Sequence, residues 1–108
     1  RNQRASGDVE YHAALSAAVE RVVGLEQLTD DASALRINHD RVHILANLGG
    51  YTSSARTEIF ALHPAPLQVL LQGFAGTSGA PYLEYNMLDL VQAPPEHAAF
   101  YSEKLQLL

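Results

Sequence analysis

Two glycine turns, each directly after an apolar run, constrain the fold of this chain more than any other sequence feature. The first run covers residues 42–48 and leads into Gly49-Gly50, and the second covers residues 67–72 and leads into a loop over residues 73–81. Apolar residues at helical spacing lie between the runs, and Pro64 and Pro66 end that helix. The order is therefore strand, turn, helix, strand and loop. In this order an open α/β sheet forms a crevice at its strand ends.

The near-continuous apolar character of residues 42–48 is typical of a buried parallel strand. The helix that follows the first turn is predicted to begin at Ser53 or Ser54, with Ile59 and Leu62 facing inward. Elsewhere the sequence predicts helices over residues 9–20, from Thr29 and from Pro94-Pro95, and strands over residues 21–25, over residues 85–90 and from Leu105. The alternation of strands and helices predicts an α/β fold, a parallel sheet with flanking helices.

Composition and charge exclude several classes of protein. The 108 residues are 47% hydrophobic and 18% charged, as in an ordinary globular domain. The net charge of -5 and the scattered basic residues argue against nucleic-acid binding, which requires clustered Lys and Arg. No apolar stretch approaches the roughly 18 residues of a membrane span. We expect residues 1–8 to be frayed and residues 9–108 to form one domain segment that is incomplete at both ends.

The residue pattern alone leaves the role of both glycine turns open. Gly49-Gly50 is either a plain tight turn or a place where a ligand approaches the backbone beside a helix amino terminus. The glycines of the 73–79 loop match neither the Walker pattern nor the dinucleotide-binding fingerprint. His39 and His43 lack the further ligands that a zinc site requires, so no metal site is predicted.

Arg56 is placed near a predicted helix amino terminus, where a positive charge is unfavourable. The simpler interpretation is a salt bridge to Glu58 or to a neighbouring acid. The alternative is a functional reason for the charge.

The residues around both turns resemble the pattern of family 41 of the glycosyltransferases, the transferases of O-linked N-acetylglucosamine to serine and threonine. The resemblance covers about residues 19–108 and is strong after His43, and a long ordered string of this kind is far more specific than one glycine motif. It is carried by Asn47, Gly50, Tyr51, Thr52, Arg56, Ala61, Leu62, Pro64, Ala65, Pro66, Gln68, Gly73, Gly76, Thr77, Ser78, Gly79, Tyr85, Asp89, Pro94 and Tyr101-Ser102-Glu103-Lys104-Leu105.

The resemblance implies a partial Rossmann-like fold, the latter part of the amino-terminal lobe of a two-lobed GT-B enzyme. Such enzymes transfer N-acetylglucosamine from UDP-GlcNAc to Ser or Thr hydroxyls of acceptor proteins, with inversion and without a metal or other cofactor. The resemblance also implies upstream tetratricopeptide repeats, sugar-nucleotide binding through a second lobe, and a location in the nucleus and cytoplasm.

The substrate-binding residues that the resemblance implies are Tyr51, Thr52, Arg56, Gln72, Gly73, Ala75 and Gly76. Tyr51 would pack the N-acetyl group, Arg56 would face the acceptor polypeptide, and the 73–79 loop would close over the sugar. No catalytic residue is assigned, because the family's base histidine lies upstream of this segment and its diphosphate-binding lysine lies downstream. We therefore expect the isolated chain to be inactive.

Three positions depart from the family pattern. Gln72 replaces a leucine beside the sugar pocket, Ala75 replaces a proline and His63 replaces an arginine. Gln72 adds polar groups that need partners, and Ala75 should loosen the loop. These departures leave open a second interpretation, a non-catalytic α/β interaction module. A free-standing flavodoxin-like or receiver-like domain is the weakest interpretation, since the usual acidic cluster at the strand ends is absent.

Overall fold

Four short parallel strands form a single sheet in the computed structural model, which describes residues 6–53, 55–71 and 73–108. The strands are β1 (Ile44–Asn47), β2 (Leu67–Leu71), β3 (Tyr85–Leu88) and β4 (Lys104–Leu107), and they lie in that order across the sheet. The helices are α1 (Ser6–Ala18), α2 (Asp30–His39) and α3 (Thr57–Ala61), and a 3₁₀ helix spans Pro95–Phe100. The predicted α/β fold with a parallel sheet and flanking helices is confirmed.

The register of the strands gives the sheet two different faces. Ile44 lies opposite Leu67, and Val69 lies opposite Tyr85. Because alternate residues of a strand point to opposite faces, Leu70 on β2 and Leu88 on β3 share the other face, and both are fully buried. We call the face with Leu70 and Leu88 the inner face, and the face with Ile44 the outer face.

Local signals set the bounds of the helices. Thr29 caps α2, since its hydroxyl accepts a hydrogen bond from the Ala32 amide at 3.3 Å, and Asp30 and Asp31 occupy the first turn. The predicted helix start at Thr29 is therefore confirmed. After α3, His63 adopts a left-handed backbone with φ of 52°, which ends the helix before Pro64.

Several predicted bounds differ from the structure. The first helix begins at Ser6 rather than at residue 9, and residues 1–5 lie outside the described part of the chain. The helix α3 begins at Thr57, three residues after Ser54, which is also outside that part. Ile59 is buried as predicted, whereas Leu62 is half-exposed.

The predicted strand over residues 21–25 is wrong, because the structure has no strand there. The carbonyl of Leu25 accepts hydrogen bonds from the Leu28 amide and from Arg56, so it is engaged in a turn rather than in a sheet. The second error concerns β1, which is parallel but not fully buried. It is an edge strand, and Ile44 on its outer face is 62% exposed.

None of the helices in residues 6–53, 55–71 and 73–108 has the length and apolar character needed to cross a membrane.

Candidate functional site at the carboxyl ends of β1 and β2

The first glycine turn is organised by the last residue of β1. Asn47 is buried, and its side-chain oxygen accepts hydrogen bonds from the amides of Gly49 at 3.0 Å and Gly50 at 2.9 Å. Gly50 has a φ of 51°, a conformation that side chains disfavour. A Cβ atom at Gly50 would also lie 2.3 Å from the ring of Phe74, so glycine is required there on two counts.

The second glycine loop lies directly against the first turn. A Cβ atom at Gly73 would lie 2.0 Å from the carbonyl oxygen of Leu48, which leaves no room for a side chain. Phe74 packs edge-to-face on Tyr51 with 5.9 Å between ring centroids. The Tyr51 hydroxyl donates a hydrogen bond of 2.7 Å to the carbonyl of Ser78. The two glycine turns therefore lie side by side at one rim of the parallel sheet, as the topology predicted.

The 73–79 loop is also held by side chains that come later in the sequence. The Tyr101 hydroxyl donates to the carbonyl of Ala75 at 3.1 Å, and the Asn86 amide donates to the carbonyl of Gly76 at 3.1 Å. Both donors reach from other parts of the sheet, Asn86 from the inner face of β3 and Tyr101 from just before β4. The loop conformation thus depends on contacts 10 and 26 residues apart in the sequence.

Glu103 is the centre of the loop's strongest contacts. It is only 6% exposed, and its carboxylate accepts hydrogen bonds from the Thr77 hydroxyl at 2.7 Å, the Ser78 amide at 2.6 Å and the Ser78 hydroxyl. Burial alone would raise the pKa of Glu103, but the hydrogen bonds from Ser78 and Thr77 outweigh it and hold that pKa below its ordinary value. Glu103 is therefore ionised at neutral pH.

Arg56 is placed apart from this cluster. Its guanidinium binds Asp30 Oδ1 through Nε at 2.9 Å and Nη2 at 2.6 Å, and it donates to the carbonyls of Leu25 at 2.8 Å and Leu28 at 2.9 Å. Arg56 is the residue before the first turn of α3, where a positive charge is unfavourable. The negative charge of Asp30 compensates the positive charge of Arg56 there. The predicted salt bridge to a neighbouring acid is confirmed, and the acid is Asp30. The guanidinium is thus directed at the start of α2, and its hydrogen bonds in the described residues go to Leu25, Leu28 and Asp30 rather than to the two glycine turns.

The remaining sequence-predicted residues are distributed as follows. Thr52 is exposed, and its amide donates to the carbonyl of Gly49 at 3.0 Å within the first turn. Ala75 is exposed and Gly76 half-buried in the second loop, where a Cβ at Gly76 would lie 3.2 Å from the Phe74 ring. Gln72 lies outside the described residues. The ligand-binding roles of all these residues stay predictions.

Sequence reasoning missed three residues that shape the rim. Phe74 fills the space between the turns, and Asn86 and Glu103 hold the second loop. A signal was present for Glu103, since it lies within the matched Tyr101-Ser102-Glu103 string, but that string carried no assigned role. No local pattern marks Asn86 as a loop anchor.

The rim offers an aromatic wall beside the exposed Gly73. The Tyr51 side chain is 54% exposed although its hydroxyl is fixed by Ser78. An oriented aromatic ring beside glycines can pack an apolar ligand group while the backbone approaches polar ones. Among residues 6–53, 55–71 and 73–108, no group of three or more His, Asp or Glu side chains is arranged to hold a metal ion.

The family model described as Glycosyl transferase family 41 matches residues 4–108. The protein named Probable UDP-N-acetylglucosamine--peptide N-acetylglucosaminyltransferase SEC of Arabidopsis thaliana is 43% identical over 101 residues, which cover 94% of this chain and 10% of the relative. The UDP-N-acetylglucosamine--peptide N-acetylglucosaminyltransferase of Caenorhabditis elegans is 45% identical over 87 residues, which cover 80% of this chain and 8% of the relative. The chain thus spans a tenth or less of the length of these relatives.

The fold is also similar to that of a solved structure, the K341M mutant of the Thermobaculum terrenum O-GlcNAc transferase. The superposition has a TM-score of 0.83 and 29% sequence identity, and it covers 89% of this chain and 18% of that one. This likeness and the parallel sheet agree with a partial Rossmann-like fold. By the match of the family model over nearly its whole length, the chain belongs to glycosyltransferase family 41.

Proposed function

We propose that this chain is part of a protein O-linked N-acetylglucosamine transferase and forms one wall of its sugar-binding cleft. The observation that carries the proposal is the contact between the two glycine turns, with Tyr51 fixed between Phe74 and the carbonyl of Ser78. Ligands of open α/β sheets bind at the carboxyl ends of the strands, which is where these turns lie. The names of the relatives supply the donor, UDP-N-acetylglucosamine, and the acceptor, a peptide.

In this proposal Tyr51 packs the N-acetyl group of the sugar and the 73–79 loop covers the sugar. Tyr101 fixes one carbonyl of that loop and Asn86 fixes another, and these two contacts give the loop one defined shape. A cleft that covers a sugar requires such a defined loop, and donor titration decides between it and a non-catalytic module. Ala75, which replaces a proline, lies in the loop segment that Tyr101 restrains.

We also propose that the isolated chain transfers no sugar. Group transfer requires a positioned acceptor, an activated donor and a stabilised leaving group at the same time. Family resemblance assigns the base and the diphosphate-binding groups to other segments, and this chain corresponds to 10% of the Arabidopsis relative and 8% of the nematode one. Inversion at the sugar carbon, the absence of a cofactor and a nuclear and cytoplasmic location are proposed on the same resemblance.

The decisive experiment is donor titration of the full-length protein that contains this chain, with Tyr51→Ala as the test variant. Losing an aromatic wall should weaken UDP-GlcNAc binding about tenfold, or ~1.4 kcal/mol. Tyr11→Ala is the matched control, because Tyr11 is an exposed tyrosine on α1. Equal donor affinity in wild type and Tyr51→Ala would remove Tyr51 from the pocket, and no donor binding by the wild type would contradict the function itself.

A further inference from the structure

The hydrogen bonds around Glu103 run in one direction, from backbone amides through two hydroxyls to the carboxylate. The Thr77 hydroxyl oxygen accepts from the amides of Gly79 and Ser102, both at 3.2 Å, and the Ser102 hydroxyl lies 3.1 Å from it. The Ser78 hydroxyl oxygen accepts from the amide of Ala80 at 3.1 Å. Both hydroxyls then direct their protons at Glu103.

This arrangement requires a group at Glu103 that only accepts hydrogen bonds. A hydroxyl oxygen has two acceptor positions, and at Thr77 both are used by amides. At the other carboxylate oxygen, the Ser78 amide and hydroxyl are both donors. An ionised carboxylate has about four acceptor positions and no proton, and it suits this site.

A glutamine at position 103 would fit by size but not by hydrogen bonding. With its NH₂ group toward Ser78, the new donor would face the Ser78 amide, which can only donate and would lose its acceptor. With the NH₂ group toward Thr77, it would face an oxygen whose acceptor positions are already occupied. Either orientation leaves a buried donor without a partner, and the loop must move to relieve it.

We propose that Glu103 is a positioning residue, which fixes the 73–79 loop in the conformation that receives the sugar donor. The inference rests on the proposed function of that loop. Glu103 lies next to β4, two strands away from the β2 end at which the loop begins, so it ties the loop to a distant part of the sheet. It acts through Thr77 and Ser78 and does not itself need to touch the substrate.

The test compares Glu103→Gln with wild type in the full-length protein, by two independent measurements. The first is hydrogen exchange of the loop amides without any ligand, which should become about tenfold faster when the charge-assisted bonds are lost. The second is steady-state kinetics, in which KM for UDP-GlcNAc should rise about tenfold while kcat changes much less. Glu96→Gln is the matched control, since Glu96 is exposed on the 3₁₀ helix, and it should change neither quantity.

The outcomes separate the two proposals. Unchanged exchange in Glu103→Gln, or faster exchange with an unchanged KM, would overturn the positioning role. A wild-type protein without affinity for UDP-GlcNAc would overturn the proposed function instead, and the exchange measurement would still decide whether Glu103 holds the loop. Should Glu103→Gln fail to fold, Ser78→Ala removes one donor and keeps the amide contact, and it should show a smaller change in the same direction.

Discussion

The 49–50 turn and the 73–79 loop touch each other, yet they are held by different kinds of contact. The first is held by Asn47, two and three residues away in the sequence. The second is held by Asn86, Tyr101 and Glu103, which are 10 to 26 residues away. A local contact forms wherever the strand forms, whereas the distant contacts exist only when β3 and β4 are in place. The side-chain hydrogen bonds of the first turn therefore depend on one strand, and those of the second on the whole sheet.

The largest expected effect is at the point where the two turns meet. Gly73→Ala would place a methyl group 2.0 Å from the Leu48 carbonyl oxygen, and a backbone atom cannot rotate away as a side chain can. We expect a loss of about 3 kcal/mol in the free energy of unfolding, at the upper end of overpacking effects. Urea denaturation of wild type and variant measures it.

Gly79→Ala is the matched control for Gly73→Ala. A Cβ atom at Gly79 would have no heavy atom within 4 Å, so only its φ of 65° opposes the substitution. That backbone conformation should cost about 1 kcal/mol. Equal losses at the two glycines would show that the close approach of the turns contributes nothing.

The next-largest effects are expected at the two asparagines that form hydrogen bonds with the two turns, Asn47 and Asn86. Asn47→Ala leaves the amides of Gly49 and Gly50 without their acceptor, and we expect a loss of about 2 kcal/mol. Asn86→Ala leaves one carbonyl, that of Gly76, without its donor, and the loop keeps its other anchors, so about 1 kcal/mol is expected. Denaturation curves of both variants give the two losses in unfolding free energy and hence their ratio. A larger loss for Asn86→Ala would contradict the view that the first turn depends on a single side chain.

The same difference explains what could be predicted from the sequence. The glycine turns, the parallel strands and the cap at Thr29 follow from residues that are close in sequence, and these predictions are confirmed. The role of Glu103 depends on where β4 brings it, and the matched Tyr101-Ser102-Glu103 string does not show which loop it holds. The erroneous strand over residues 21–25 has the same cause, because Arg56, 31 residues away from Leu25, occupies a carbonyl that a strand would need.

The open side of β1 shows a further limit of local patterns. A run of apolar residues predicts burial on both faces, but it does not say what covers each face. In the described residues the outer face has an open groove of about 370 Å³, lined by Ile44, Leu67, Val69, Tyr85, Met87 and Gln106. The burial that the sequence predicted at Ile44 is therefore absent, although the strand pairing is correct.

The smallest effect is the pH dependence that Glu103 gives to stability. Its pKa is lower in the folded chain than in the unfolded one, so its contribution is present above the unfolded pKa of about 4.3 and is lost as the pH falls through the folded pKa. The pKa of Asp40 is also lowered, chiefly by a hydrogen bond from Arg36, and this adds a loss of stability in the same direction.

Subtracting the pH profile of the unfolding free energy of Glu103→Gln from that of wild type isolates Glu103, because Asp40 is present in both. We expect the difference in unfolding free energy to shrink steadily as the pH falls below about 5. A difference that stays constant over this range would mean that the loop is held by the shape of the side chain at position 103 rather than by its charge.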